Sequence, residues 1–324
     1  MTRSFQYLKG YLYLGWLFWR QARFAKKLLH NVLINSKLEG DGTFSTEASR
    51  RLRYYGAMVP VVIGDTLNLL QGSPMTASTR YAVTLYGFFT PLFDDWFDTE
   101  NPNAQKAAER VFRPETIGTQ DDLHRVTRTV LTNLLDHAAA FAPNWKTPAS
   151  DVIHAQIASL AQLSADTDIT KIRQVTWLKG GASVLGIRHF LPTKISQPEH
   201  EVCVQLGGMM QYLDDIFDIY TDQQSGIRTI ATECTDFFGL HDDYNRELKK
   251  LHFLLMQLPY PTRQKTKVWQ LWELMWVRGN VCIEHLQRLE KKPLDTFTRQ
   301  ELVCDMATWR NIWRSWQIFR QSTY

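Results

Sequence analysis

Apolar residues recur along this 324-residue chain at the three- and four-residue spacing of amphipathic helices, with almost no alternating strand pattern. The spacing predicts helices near 5–35, 46–71, 77–99, 120–142, 149–164, 169–192, 197–222, 236–257, 263–290 and 297–320. Turn-forming groups fall between them: Gly40-Asp41-Gly42, Gly72-Ser73-Pro74, Asn101-Pro102-Asn103, Pro143-Asn144 and Pro259-Tyr260-Pro261. No long β-branched run, short-period repeat or low-complexity linker interrupts the series. The expectation is an all-α chain in a single domain, 1–324. Residues 1–44 form an N-terminal amphipathic helix and turn, 45–290 the core, and 291–324 a C-terminal helix.

Composition narrows the picture. The net charge is +4 and the basic residues are scattered, so there is no nucleic-acid footprint. Cys203, Cys234, Cys282 and Cys304 form no CxxC pair, which argues against a zinc site or a disulfide framework and suits a cytoplasmic protein. The apolar run Tyr11–Trp19 is too short to span a bilayer and has no cleavage site. With Arg20, Arg23, Lys26 and Lys27 behind it, it reads as a helix packed on the body, with peripheral membrane contact as the alternative.

Two aspartate motifs carry the chemistry. Asp94-Asp95-Trp96-Phe97-Asp98 closes an apolar helix containing Pro91, which should kink or loosen it. Asp94 and Asp98 share a face, and Asp95 lies a quarter-turn away. In Leu213-Asp214-Asp215-Ile216-Phe217-Asp218, followed by Asp222, residues Asp214, Asp218 and Asp222 repeat every four positions as one carboxylate stripe. The apolar flanks Leu213, Ile216, Phe217, Ile219 and Tyr220 predict that these acids are embedded in a core-forming helix. Like charges at that spacing repel. Burying several without cations costs several kcal/mol per charge or forces protonation. Mg²⁺, which takes carboxylate, phosphate and water oxygens, resolves the conflict. Two other acidic pairs, Asp121-Asp122 and Asp242-Asp243, read as structural acids at helix starts.

These motifs resemble those of the class I isoprenoid synthases: chain-elongating prenyltransferases, squalene and phytoene synthases, and terpene cyclases. Gly207-x-x-Met210-Gln211-x-x-Asp214-Asp215-x-x-Asp218 is similar to the second prenyltransferase motif, with Met210 where Phe is usual. The register Asp214, Asp218, Asp222 after Gln211 also resembles the squalene and phytoene synthase motif. Gly226-Ile227-Arg228-Thr229 resembles the basic segment that follows. Lys179-Gly180-Gly181-Ala182 matches a place where the family breaks a helix and a lysine contacts diphosphate, although two glycines there also suit close helix packing. Ala48-Ser49-Arg50-Arg51-Leu52-Arg53 is similar to a basic segment that holds the second substrate of elongating enzymes, without its glycines.

The resemblance, over roughly 45–290, implies a helical bundle with a central active-site cavity. It implies ionisation of a prenyl diphosphate by a cluster of Mg²⁺ ions, about three. The candidate catalytic residues are Asp94, Asp95, Asp98, Asp214, Asp215 and Asp218; the metal ligands are Asp94, Asp98, Asp214, Asp218 and Asp222. Lys179, Arg228 and Gln211 would bind diphosphate, and Tyr86, Phe89, Phe93 and Tyr212 would line the pocket. No Arg-Arg pair follows Asp98, where elongating enzymes usually carry one. The Asn, Ser and Glu of the usual terpene-cyclase second motif are also missing, with aspartates in that helix instead; on balance the absent Arg pair disfavours a second diphosphate pocket and favours a terpene synthase over prenyl transfer or head-to-head condensation. A non-catalytic lipid- or partner-binding homologue is the reading from another class, and homodimers are common among the families resembled.

Overall fold

The computed structural model describes residues 2–38, 44–100, 109–289 and 292–322, without the side chains of Asp98, Thr99, Glu100 and Pro143. Among the described residues every regular element is helical and there is no strand. The longer helices are α1 (Arg3–Asn35), α2 (Thr46–Val59), α3 (Thr66–Leu70), α4 (Ala77–Glu100), α5 (Asp122–Phe141), α6 (Lys146–Ser159) and α7 (Ile169–Arg188). After them come α8 (Gln197–Phe217), α9 (Ile219–Ser225), α10 (Phe237–Gln257), α11 (Thr262–Leu286), α12 (Arg299–Leu302) and α13 (Trp309–Gln321). None is long and apolar enough to cross a membrane among the described residues.

The chain groups into two compact units. The first contains Met1–Leu12, His154–Leu185 and Ile195–Tyr324; the second contains Tyr13–Ile153 and Gly186–Lys194. In the first, α8, α10, α11 and α13 pack on one another. Their buried stripes are Val202, Leu206, Met209 and Ile216 on α8, Tyr244, Leu248, Leu251 and Leu255 on α10, and Val268, Trp272, Trp276 and Ile283 on α11. These are the three-to-four-residue spacings on which helix burial depends. The N-terminus of α1 is anchored in this unit by Arg3, whose guanidinium meets Glu273 at 2.5 Å and the Phe319 carbonyl at 2.9 Å. In the second unit α4 packs against α2 and α5. Its fully buried Val83, Leu85, Phe88, Trp96 and Phe97 belong to the same core as Val126, Val130, Leu131 and Leu134 of α5.

Most predicted helices stand within a few residues of their expected ends. Three differ in kind. The 46–71 segment widens into a π-helical turn at Pro60–Asp65 between α2 and α3. The 197–222 segment stops at Phe217 and resumes at Ile219, with Asp218 as the hinge between α8 and α9. The 297–320 segment is interrupted between α12 and α13. There the Asp305 carboxylate accepts the Ala307 N–H at 2.8 Å, and Thr308 caps α13. These local side-chain bonds compete with helix continuation.

The predicted break at Gly180-Gly181 is absent, because α7 runs unbroken through it. The glycines serve a crossing instead. A Cβ on Gly180 would overlap the Gly207 carbonyl of α8, and a Cβ on Gly207 would overlap the Gly180 carbonyl. The helical penalty of glycine is thus offset by close backbone packing.

Gly207→Ala should therefore destabilise the protein by about 3 kcal/mol or more in chemical denaturation, as overpacking against backbone does. Gly15→Ala, at an exposed α1 position with nothing within 4 Å of the new methyl, should instead stabilise by roughly 0.5–1 kcal/mol.

Candidate active site

The α7–α8 crossing sets the surroundings of the second aspartate motif. Asp215, about two turns beyond Gly207 and Gly208, points inward and is 2% exposed. Its carboxylate is satisfied from three directions. Gln211 Nε2 donates at 3.2 Å, Thr176 Oγ1 of α7 donates at 3.3 Å, and the Ile230 backbone N–H donates as well. That amide arrives through a turn at Gly226, which adopts φ +67° and caps α9. The left-handed conformation costs glycine little. Burial still pushes Asp215 up to about 6, opposed by these bonds and by the charge of Lys179.

Asp214 and Asp218 lie on the exposed side of the same segment and Asp222 is half-buried. The expectation of a fully embedded stripe is thereby corrected: the core-facing positions of α8 are Tyr212, Leu213, Asp215 and Ile216, and the four-residue register turns Asp214 and Asp218 outward. The register itself survives the hinge. The Asp218 N–H donates to the Asp214 carbonyl, and the Asp222 N–H to the Asp218 carbonyl, both at 2.8 Å. Four carboxylates remain within mutual electrostatic reach. Burial, reinforced by the charges of Asp215, Asp218 and Asp214, pushes Asp222 up to about 8, and Lys179 only partly opposes it. Gln211 also donates to Asp214, at 3.5 Å.

The remaining predicted residues of this unit are placed differently. Arg228 is a structural staple. Its Nη1 donates to the carbonyls of Ser164, Ala165 and Thr167 at 3.0, 2.6 and 2.6 Å, and its Nη2 meets Glu233 at 2.6 Å. Tyr212 is fully buried between Trp177 and Tyr244, and its hydroxyl donates to Asp243 at 3.0 Å. Asp243 also pairs with Arg173 and Arg246, so the structural reading of Asp242-Asp243 holds for Asp243. It does so from within α10, which begins five residues earlier than Asp242, at Phe237.

In the second unit, Asp94 is half-buried and Asp95 exposed. Arg51 of α2 binds Asp95 at 2.6 Å and also feels the charge of Asp94. The side chain of Asp98 lies outside the described residues. α4 continues as a helix through Pro91. Tyr86, Phe89 and Phe93 are buried, with Phe93 packed on Phe89, Trp96 and Phe97, and Tyr86 edge-on to Trp145. Asp121 accepts the His124 N–H at 2.9 Å and caps α5, as its position at a helix start implies.

Thr176 and the Ile230 amide were not among the sequence candidates, and the pairing of Arg51 with Asp95 was not foreseen although both residues were named. Thr176 sits three residues before Lys179, on the neighbouring turn of the same helix, and that spacing was its only signal. Among the described residues, no three His, Cys, Asp or Glu side chains converge as a ready-made metal-binding group. The donor set is hard carboxylate oxygen, which suits Mg²⁺ held by one or two carboxylates together with phosphate oxygens and water. Searches of protein-family models, curated proteins and solved structures find no match to this chain.

The acid cluster makes a signed prediction for the cation-free protein. An aspartate ionises near 3.9 when unfolded, and Asp222 holds its proton to about 8 when folded. The folded state therefore binds more protons between these values, and stability falls as pH rises through that window. Thermal melts in chelator should show Asp222→Asn gaining on the parent from about pH 4 to about pH 8, with no gain below. Parallel curves would contradict the crowding of charge at Asp222.

Proposed function

We propose that this protein ionises an allylic prenyl diphosphate in a Mg²⁺-dependent reaction, as a terpene synthase built on the class I isoprenoid synthase bundle with its central cavity. The observation that carries the reading is the α8–α9 acid segment. Asp214, Asp218 and Asp222 stay in register across a helix hinge, beside a buried Asp215 and with Lys179 alongside. Burial, with the charges of Asp215, Asp218 and Asp214 added, holds Asp222 up at about 8, and bound cations would relieve that cost.

Asp214, Asp218 and Asp222 would hold Mg²⁺, and the first motif supplies the same donor chemistry through Asp94 and Asp98. Bound Mg²⁺ supplies charge neutralisation for the departing diphosphate. Lys179 would donate a charge-assisted hydrogen bond to a diphosphate oxygen. Asp215, already satisfied by Gln211, Thr176 and the Ile230 amide, fixes the pitch of α8 and so the aim of Asp214 and Asp218. Arg228 holds the Gly226 turn in place and is left out of the diphosphate set on the strength of its four observed partners. Departure of diphosphate leaves an allylic cation, which aromatic rings such as Phe89 and Phe93 would stabilise and shield from water. The missing Arg-Arg pair after Asp98 supports intramolecular attack on that cation over attack by a second diphosphate substrate.

Incubation with farnesyl or geranylgeranyl diphosphate and Mg²⁺ should release inorganic diphosphate and an extractable hydrocarbon or alcohol. Release should stop with chelator and fall by at least about a hundredfold in Asp214→Ala and Asp94→Ala, whose folding is checked by circular dichroism. Added isopentenyl diphosphate should leave the product unchanged; a lengthened diphosphate would transfer the reading to chain elongation. No release from any allylic diphosphate by the folded protein would end the catalytic reading and favour a lipid- or partner-binding role.

A further inference from the structure

Helix α1 has a packed side and a spare one. The packed side is the run Leu17, Gln21, Ala25, Leu28 and Val32, all buried. A second set of apolar side chains stands in solvent: Phe5, Leu8, Leu12, Trp16 and Trp19 are between 49% and 67% exposed. They follow one another at steps of three and four residues, which puts them in one stripe along an unbroken helix of 33 residues. Single exposed apolar residues are ordinary on a protein surface. Five large ones in a continuous stripe mark a surface that meets something else.

The stripe continues as charge. The next steps of three and four residues beyond Trp19 fall on Arg23, then on Lys26 and Lys27, all exposed. The Arg23 guanidinium lies 4.8 Å over the Trp19 ring, so the aromatic and basic stretches join directly. Over its full length α1 has six Lys and Arg residues and no Asp or Glu. The whole chain carries only +4, so this helix is the basic element of an otherwise slightly acidic sequence.

We propose that α1 docks the protein on an anionic lipid surface through this stripe. The residues from Phe5 to Trp19 supply the apolar insertion, and Arg23, Lys26 and Lys27 meet the headgroup phosphates. The helix is not long and apolar enough to cross a membrane, so it lies along the surface, its apolar side chains about 5–10 Å into the headgroup–acyl boundary. Charge complementarity selects this occupant. A second copy docked stripe to stripe brings no carboxylate on its own α1 to meet these cations, whereas an anionic bilayer brings phosphates along the whole face. Tryptophan beside arginine suits that depth, because the indole is apolar in body and polar at its N–H. The stripe shares no residue with the two aspartate motifs, so docking stands or falls separately from the proposed ionisation.

The test is flotation of the full chain with vesicles of equimolar phosphatidylglycerol and phosphatidylcholine, against phosphatidylcholine alone. The protein should float with the anionic vesicles and stay behind with the neutral ones, and added salt should weaken its attachment. The altered positions are exposed, so folding should survive, as circular dichroism checks. Trp16→Ser/Trp19→Ser should weaken vesicle binding by about tenfold or more through lost insertion. Lys26→Glu/Lys27→Glu should do so by about tenfold or more through lost phosphate contacts. Two controls change the same residue types on other helices: Trp309→Ser on α13, which is 75% exposed, and Lys249→Glu/Lys250→Glu on α10. Both should bind as the parent does. A folded protein that does not float with anionic vesicles would overturn the proposal. So would controls that weaken binding as much as the α1 variants, since overall charge or stray aromatics would then explain it. Concentration-dependent dimers in sedimentation equilibrium, dispersed by Trp16→Ser/Trp19→Ser while vesicle binding is unchanged, would assign the stripe to a second copy instead.

Discussion

The direct contact of α7 and α8 backbones at Gly180 and Gly207 is the constraint from which the candidate site of the first unit follows. Side chains at that crossing would force the helices apart. With none, Thr176 comes within hydrogen-bond reach of Asp215 and Lys179 comes within electrostatic reach of Asp215 and Asp222. The Gly226 turn completes the arrangement by returning the Ile230 amide to the same carboxylate. Asp215 is thereby the buried, hydrogen-bonded member of the motif, while Asp214 and Asp218 face outward and Asp222 is half-buried.

That division answers an energetic problem. Four acids in nine residues repel, and the repulsion is least screened where a carboxylate is drawn out of solvent. The fold buries one with hydrogen bonds, turns two outward and leaves Asp222 between, where it keeps its proton to about 8. On the proposed reading, a cation that is itself held by phosphate oxygens would remove that repulsion.

The all-helical character was legible in the spacing of apolar residues, because helical burial repeats every three to four positions whatever surrounds it. The four-residue register of Asp214, Asp218 and Asp222 was legible for the same reason. What escaped the sequence was set by contacts distant along the chain. Whether Gly180-Gly181 breaks a helix or packs one depends on Gly207, which lies 26 residues away by the chain numbering. The burial of Asp215 in preference to its neighbours depends on which face of α8 meets α7 and α10. Arg228 was a diphosphate-binding candidate from the segment it sits in, yet its guanidinium donates to the carbonyls of Ser164, Ala165 and Thr167, which no spacing rule connects to it. The interruption after α12 came from Asp305 and Thr308, common residues whose local bonds decide only once the chain has room to bend.

The claim that the α8–α9 acids form a joint site for cation and diphosphate is tested most directly by calorimetric titration of inorganic pyrophosphate into the protein with and without Mg²⁺. The account predicts binding that requires both, and that is lost in Asp214→Ala/Asp218→Ala while the melting temperature is kept. Equal pyrophosphate binding in chelator, or undiminished binding by that variant, would contradict it.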